Sequence, residues 1–149
     1  MKKRIVCIIL VSVIALCSLI HFLLRTNFSD INNYDGVSMT IIVSKLSDTG
    51  LSFIIHNDTD EELTFGEEYS LERKILGKWY KVLYKPSMMF QPVGWNDIGI
   101  MVKKRSTQTI EVNWEWLYGN LNKGNYRIIK KFITNYPSSY NLAMEFTIS

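Results

Sequence analysis

Two histidines and two cysteines are the only side chains of the 149-residue sequence that readily supply a neutral-pH base, a thiolate nucleophile or an imidazole or thiolate metal ligand. Three of them, Cys7, Cys17 and His21, lie in one apolar stretch near the N-terminus, which leaves His56 alone downstream. Nucleophilic catalysis needs a paired base, and a zinc site needs three or four ligands, so His56 by itself supports neither. It ends a strand and reads as an ordinary edge residue. The densest polar group is Asn57-Asp58-Thr59-Asp60-Glu61-Glu62, followed by Glu67-Glu68. Leu63 stands where a calcium-binding EF-hand loop requires glycine, so the group reads as a solvated turn. Neither G-x-x-x-x-G-K-[ST] nor G-x-G-x-x-G occurs, which removes the usual phosphate cradles. The expectation is no catalytic residue, no metal site and no cofactor.

Two other segments carry chemistry of contact. Lys103-Lys104-Arg105 is a short basic run before a strand and reads as a solvated hairpin tip, with attraction to anionic lipid or wall polymer as the sharper alternative. The connection from Lys85 to Asn96 is long and unusually apolar, and it contains Met88, Met89, Phe90 and Trp95. Loops on rigid scaffolds often carry recognition, and methionine with aromatic rings makes adaptable contact surface. These four residues are the candidate partner-binding loop. The competing reading, in which Met89, Phe90 and Trp95 fold back to close the end of the core, stays open.

The elements that must position these residues show period two. Val37 to Leu46, Leu51 to His56, Tyr69 to Ile75, Trp79 to Tyr84, Thr107 to Trp114, Asn125 to Ile133 and Leu142 to Ile148 are rich in β-branched and aromatic residues and are bounded by turn formers. Ser47-Asp48-Thr49-Gly50 and Leu76-Gly77-Lys78 read as hairpin connections, and Asn122-Lys123-Gly124 as another turn. Trp114 to Tyr118 is the only short helical candidate in this part. Some seven short strands with frequent turns predict an all-β antiparallel sandwich spanning 37–149. Trp79, Trp114 and Tyr126 are expected in its core, while Trp116 and Tyr118 are balanced between core and exposed contact.

Ahead of the strands, Ile5 to Leu24 runs twenty residues without a formal charge, the length a helix needs to cross about 30 Å of hydrocarbon. Residues 1–25 are therefore expected to form one N-terminal transmembrane helix that acts as a signal anchor, and the polar segment 26–36 a tether. Lys2, Lys3 and Arg4 before the apolar run, against the single Arg25 after it, place the N-terminus inside and the C-terminal domain outside a cell membrane crossed once. A cleaved, secreted form and a lipoprotein with lipid on Cys17 are the alternatives. The run is long for a cleaved signal, and Leu16 departs from the small residue a lipoprotein signal wants before its cysteine. From Thr26 onward 13 basic residues face 14 acidic ones, so no concentrated positive field exists for nucleic acid. With no cysteine after Cys17, the outer domain must hold together by its core alone.

Two blocks of this outer segment carry a resemblance. The first is Asn57-Asp58-Thr59, then Phe65-Gly66-Glu67-Glu68-Tyr69-Ser70-Leu71-Glu72 and Gly77-Lys78-Trp79-Tyr80. The second is Val112-Asn113-Trp114-Glu115-Trp116-Leu117-Tyr118-Gly119, with Leu121 and Gly124-Asn125-Tyr126-Arg127-Ile128. From Gly36 to about Phe132 the chain resembles a bacterial immunoglobulin-like domain family of Gram-positive surface and membrane proteins. It is similar, more weakly, to intracellular proteinase inhibitor-like sandwiches. The resemblance implies an immunoglobulin-like sandwich used for contact, with no catalytic residues to carry over. The functional expectation is a membrane-anchored interaction module that meets a protein or cell-wall polymer partner. The alternative is a protease inhibitor or a regulator of a neighbouring membrane protein.

Overall fold

Alternating apolar residues need a face to bury, and in this chain two antiparallel sheets provide it for each other. The structure, a computed structural model, describes residues 9–18, 29–96, 98–134 and 138–149. Its strands are β1 (Val37–Ile42), β2 (Gly50–Asn57), β3 (Leu63–Ile75), β4 (Lys78–Lys81), β5 (Ile100–Val102), β6 (Ser106–Asn113), β7 (Gly124–Ile133) and β8 (Ser139–Ile148). One sheet has the order β1-β2-β6; the other runs β4-β3-β7-β8, with β5 also paired to β3. That pairing matches the A-B-E and C′-C-F-G sheets of an immunoglobulin sandwich.

Inward residues alternate as the pleat requires. Leu51, Phe53 and Ile55 of β2 face Leu63, Phe65 and Leu71 of β3 and Ile128 and Phe132 of β7, all at most 2 % exposed. Trp114 lies fully buried at one end of this core, stacked on Phe146 at 5.5 Å, with its indole N–H donated to the Asp48 carbonyl at 2.8 Å. Tyr126 is buried next to it, and its hydroxyl donates back to the carbonyl of Asn122. A tyrosine that ties the start of a strand to the preceding turn is the corner device of immunoglobulin-type sandwiches. The one-turn helix Glu115–Tyr118 follows Trp114 where the helical candidate was placed, and Gly119, at φ 74°, ends it.

Several expectations are corrected. The first strand stops at Ile42, where its ladder with β2 ends at Ile42 opposite Ser52, and the chain tightens into a 3-10 turn, Val43–Lys45. The strand expected from Tyr69 begins at Leu63, six residues earlier. Its alternation is hidden by a bulge in which Phe65 to Tyr69 oppose only Phe132 to Lys130. The strand expected to reach Tyr84 ends at Lys81, and the three-residue β5 has no counterpart among the seven predicted. Lys103 to Arg105 is not a hairpin tip: β5 pairs with β3 and β6 with β2, so the run crosses from one sheet to the other. Trp79 is half-buried rather than central, because it lies beneath the cations of Lys74 and Arg127 at 5.0 and 4.8 Å from its ring centroid.

Residues 29–36 precede β1 and are hydrogen-bonded to the five-stranded sheet. Asn32 accepts the Asn141 N–H at 2.7 Å and donates to the Ser139 carbonyl, while the Asn141 amide donates to the Asp30 carbonyl. The Ser29 N–H reaches Glu72, a carboxylate buried by this crossing and paired with Arg127 at 2.8 Å. Tyr34 packs on Phe132 and Tyr140. Asn32 therefore serves to satisfy the free edge of β8. Residues 9–18 are helical with every side chain exposed. Among the described residues no helix is long and apolar enough to cross a membrane. The remainder of the Ile5 to Leu24 run lies outside the described residues.

Candidate functional site

The loop that carries Met88, Met89, Phe90 and Trp95 leaves β4 and rejoins the sheet at β5, both on the same edge of β3. The end that leaves β4 is fastened by hydrogen bonds. The Val82 N–H donates to the Leu71 carbonyl at 2.8 Å, the Lys85 N–H to the Leu117 carbonyl at 3.0 Å, and the Lys85 ammonium to the Glu115 carbonyl. The Met88 N–H closes a turn on the Lys85 carbonyl at 2.8 Å, and the Gln91 N–H another on the Met88 carbonyl.

The four candidate residues divide by environment. Met88 and Trp95 are partly buried against the core, Trp95 with its ring 5.2 Å from Tyr69 and 5.7 Å from Trp116. Met89 and Phe90 face solvent, Phe90 at 92 % exposure. The core-closing reading thus divides: Trp95 closes the core, and Phe90 does not.

Beside Trp95 the β3 bulge creates the second feature of this face. Lys130 sits on the inward register of β7, two residues from Ile128 and Phe132, and is 1 % exposed. Its ammonium donates to the carbonyls of Gly66, Glu67 and Glu68 across the bulge, the latter two at 3.1 and 2.9 Å. Burial lowers its pKa to about 8, against the opposing pull of the Glu67 and Glu68 carboxylates. Burial likewise raises the pKa of Tyr69 and of Tyr118, whose hydroxyl accepts the Leu71 N–H. An open hollow of about 270 Å³ lies over this point, lined in part by Glu67, Tyr69, Trp95, Glu111, Trp116 and Lys130. Trp116, the residue balanced between core and contact, is 42 % exposed there.

Sequence reasoning passed over Lys130, although the signal was present: counting by two from Tyr126 puts it on the core face. The meeting of Trp95 with Trp116 had no sequence signal, because it depends on where an 18-residue connection returns.

The acidic group resolves into structure. Asn57 is fully buried; its amide donates to the carbonyls of Glu61, Val102 and Lys103, and its oxygen accepts the Thr59 N–H and hydroxyl. Asp60 forms a bidentate pair with Arg105, at 3.0 and 2.9 Å, which holds its carboxyl below the ordinary range. His56 lies on the outer face of β2, the central strand of its sheet, between Ser38 and Thr107, rather than at an edge. Among the described residues no group of three or more His, Cys, Asp or Glu is placed to hold a metal ion.

The fold defines a two-sheet immunoglobulin-type domain with one elaborated loop. A model of the bacterial Ig-like domain matches residues 33–147, and the chain belongs to that family. A search of curated proteins finds no match.

Proposed function

We propose that this chain is a membrane-anchored, extracytoplasmic, non-catalytic interaction module that presents its sandwich to a protein or cell-wall partner. The observation that carries the reading is the contrast within one loop. Met88 and Trp95 are pinned to the core while Met89 and Phe90, next to Met88, are held out in water. An apolar tip on a fastened base loses little conformational freedom when it is covered, the condition under which aromatic anchors contribute most to binding.

Membership of a bacterial Ig-like family supports contact as the role. The anchor is supported by a different observation. The helical residues 9–18 include Ile9, Leu10, Val11, Val13, Ile14 and Leu16, each more than half exposed. A helix that is apolar all round finds its burial in lipid when no protein surface covers it. The Lys2-Lys3-Arg4 cluster then orients the sandwich outward.

Replacement of Met89 and Phe90 by serine tests the module. The double variant is expected to keep the thermal midpoint of the parent, since both side chains are exposed, and to lose the partner that co-purifies with the parent from solubilised membranes. An unchanged set of co-purifying proteins would refute the loop as the contact. Outside-only labelling of a cysteine placed at Thr109 checks the orientation, and labelling from the cytoplasmic side would reverse it.

A further inference from the structure

We propose that the hollow beside the β3 bulge receives one cationic side chain, a lysine or arginine projected by the partner protein. This rests on the reading of the Lys85 to Asn96 connection as a recognition element and names the chemistry of its base. Three aromatic rings converge there. Tyr69 and Trp95 meet at an interplanar angle of 66°, Trp95 and Trp116 at 73°. Rings so inclined form walls rather than a stack, and a cation within about 6 Å of such a ring face is attracted by its quadrupole.

Two carboxylates share the lining, Glu67 from the bulge and Glu111 from β6. Among the described residues the ion pairs join Lys74 to Glu145, Arg105 to Asp60 and Arg127 to Glu72, so neither acid closes an ion pair within this chain, although Glu67 attracts the nearby Lys130 ammonium. Glu68 stands on the same bulge and is exposed.

The opposing charge is Lys130, at the floor of the hollow. Its donors are already committed to the carbonyls of Gly66, Glu67 and Glu68, so it offers the occupant no hydrogen bond. It also keeps the bulge in the shape that brings Glu67 to the rim. Two carboxylates against one ammonium leave the lining net negative, which favours a cation over an anion. A volume of about 270 Å³ is below the roughly 300 Å³ at which sites for drug-sized ligands begin, so it suits a single side chain.

The test is an NMR titration of the full chain in detergent micelles, following the indole N–H signals of the four tryptophans. The probes are tetralysine, its Nε-acetylated counterpart and a tetramer of N-acetylglucosamine. Tetralysine is expected to shift Trp95 and Trp116 and to leave the buried Trp114 in place, while the acetylated peptide shifts none. Glu67→Gln with Glu111→Gln is expected to weaken tetralysine about five- to tenfold. Equal response to the acetylated peptide, or no loss in the double variant, would overturn the assignment. Shifts with the sugar alone would overturn it in favour of a saccharide site, and silence with every probe would overturn it outright. Capture of a partner through Phe90 is a separate readout, so the loop tip can stand where the hollow fails, and the hollow where the tip fails.

Discussion

Raising the pH from 7 to 9 should stabilise this protein, and the reason is one lysine. Lys130 is buried, with a pKa lowered from the ordinary 10.5 to about 8. In the unfolded chain it returns to the ordinary value, so between pH 8 and 10.5 the unfolded state binds more protons than the folded one. The Lys130 contribution to stability therefore rises with pH through that window. Below pH 8 both states hold the proton and the effect levels off. Between pH 7 and 9 the two titrations differ by about 1.3 kcal/mol, an order-of-magnitude figure. Burial raises Tyr69 and Tyr118, which opposes this only as the unfolded tyrosines ionise, and by pH 9 that costs about 0.1 kcal/mol. Above pH 10 the tyrosines take over and stability falls. Urea unfolding of the full chain in micelles, followed by tryptophan fluorescence, should place the midpoint roughly 0.5 to 1 M higher at pH 9 than at pH 7. Lys130→Met keeps the apolar stem and removes the titration, so its midpoint should not rise over that interval. A flat or falling wild-type midpoint, or a rise that survives in Lys130→Met, would refute the buried-ammonium reasoning.

Other perturbations test separate parts of the fold. Glu72→Gln leaves Arg127 without its buried partner and should cost about 3 kcal/mol, with faster hydrogen exchange at Ser29; an unchanged midpoint would show the pair to be dispensable. Asn57→Ala removes the side chain that ties together the 57–62 turn and the β5–β6 crossing. It should destabilise by about 2 to 4 kcal/mol, as read from the same urea titration. Leu76 occupies the first of two positive-φ positions in the β3–β4 turn, with φ 50° against 80° for Gly77, and is 99 % exposed. Leu76→Asn creates the Asn-Gly pair preferred there and should raise stability by about 0.5 to 1 kcal/mol; a lower thermal midpoint would contradict the turn assignment.

The sequence was legible where side chains alternate without interruption. Leu51 to His56, Thr107 to Trp114 and Asn125 to Ile133 lie within a residue of β2, β6 and β7, because each buries one face and exposes the other. It was opaque where the backbone breaks that rhythm. Gly66, Glu67 and Glu68 read as a loop because two of them are acids, yet they form a bulge whose carbonyls face an ammonium contributed by β7. The three residues of β5 are too few for periodicity to speak. The polarity of residues 29–36 reads as solvation, but the Asn32 side chain and the Asp30 carbonyl are taken up by β8, a partner more than a hundred residues away. For the candidate loop, composition could not separate Trp95 from Phe90. That division depends on Tyr69 and Trp116 arriving beside one ring and not the other.

The central claim is that the loop tip is held out for a partner, and photocrosslinking in the native membrane tests it most directly. A photoreactive residue at position 90 is compared with one at position 76. Both sites are apolar and almost fully exposed, but Leu76 belongs to the tight β3–β4 turn rather than to the candidate loop. The account predicts a discrete adduct from position 90 and none from position 76. Equal labelling from both, or no adduct at position 90, would contradict it.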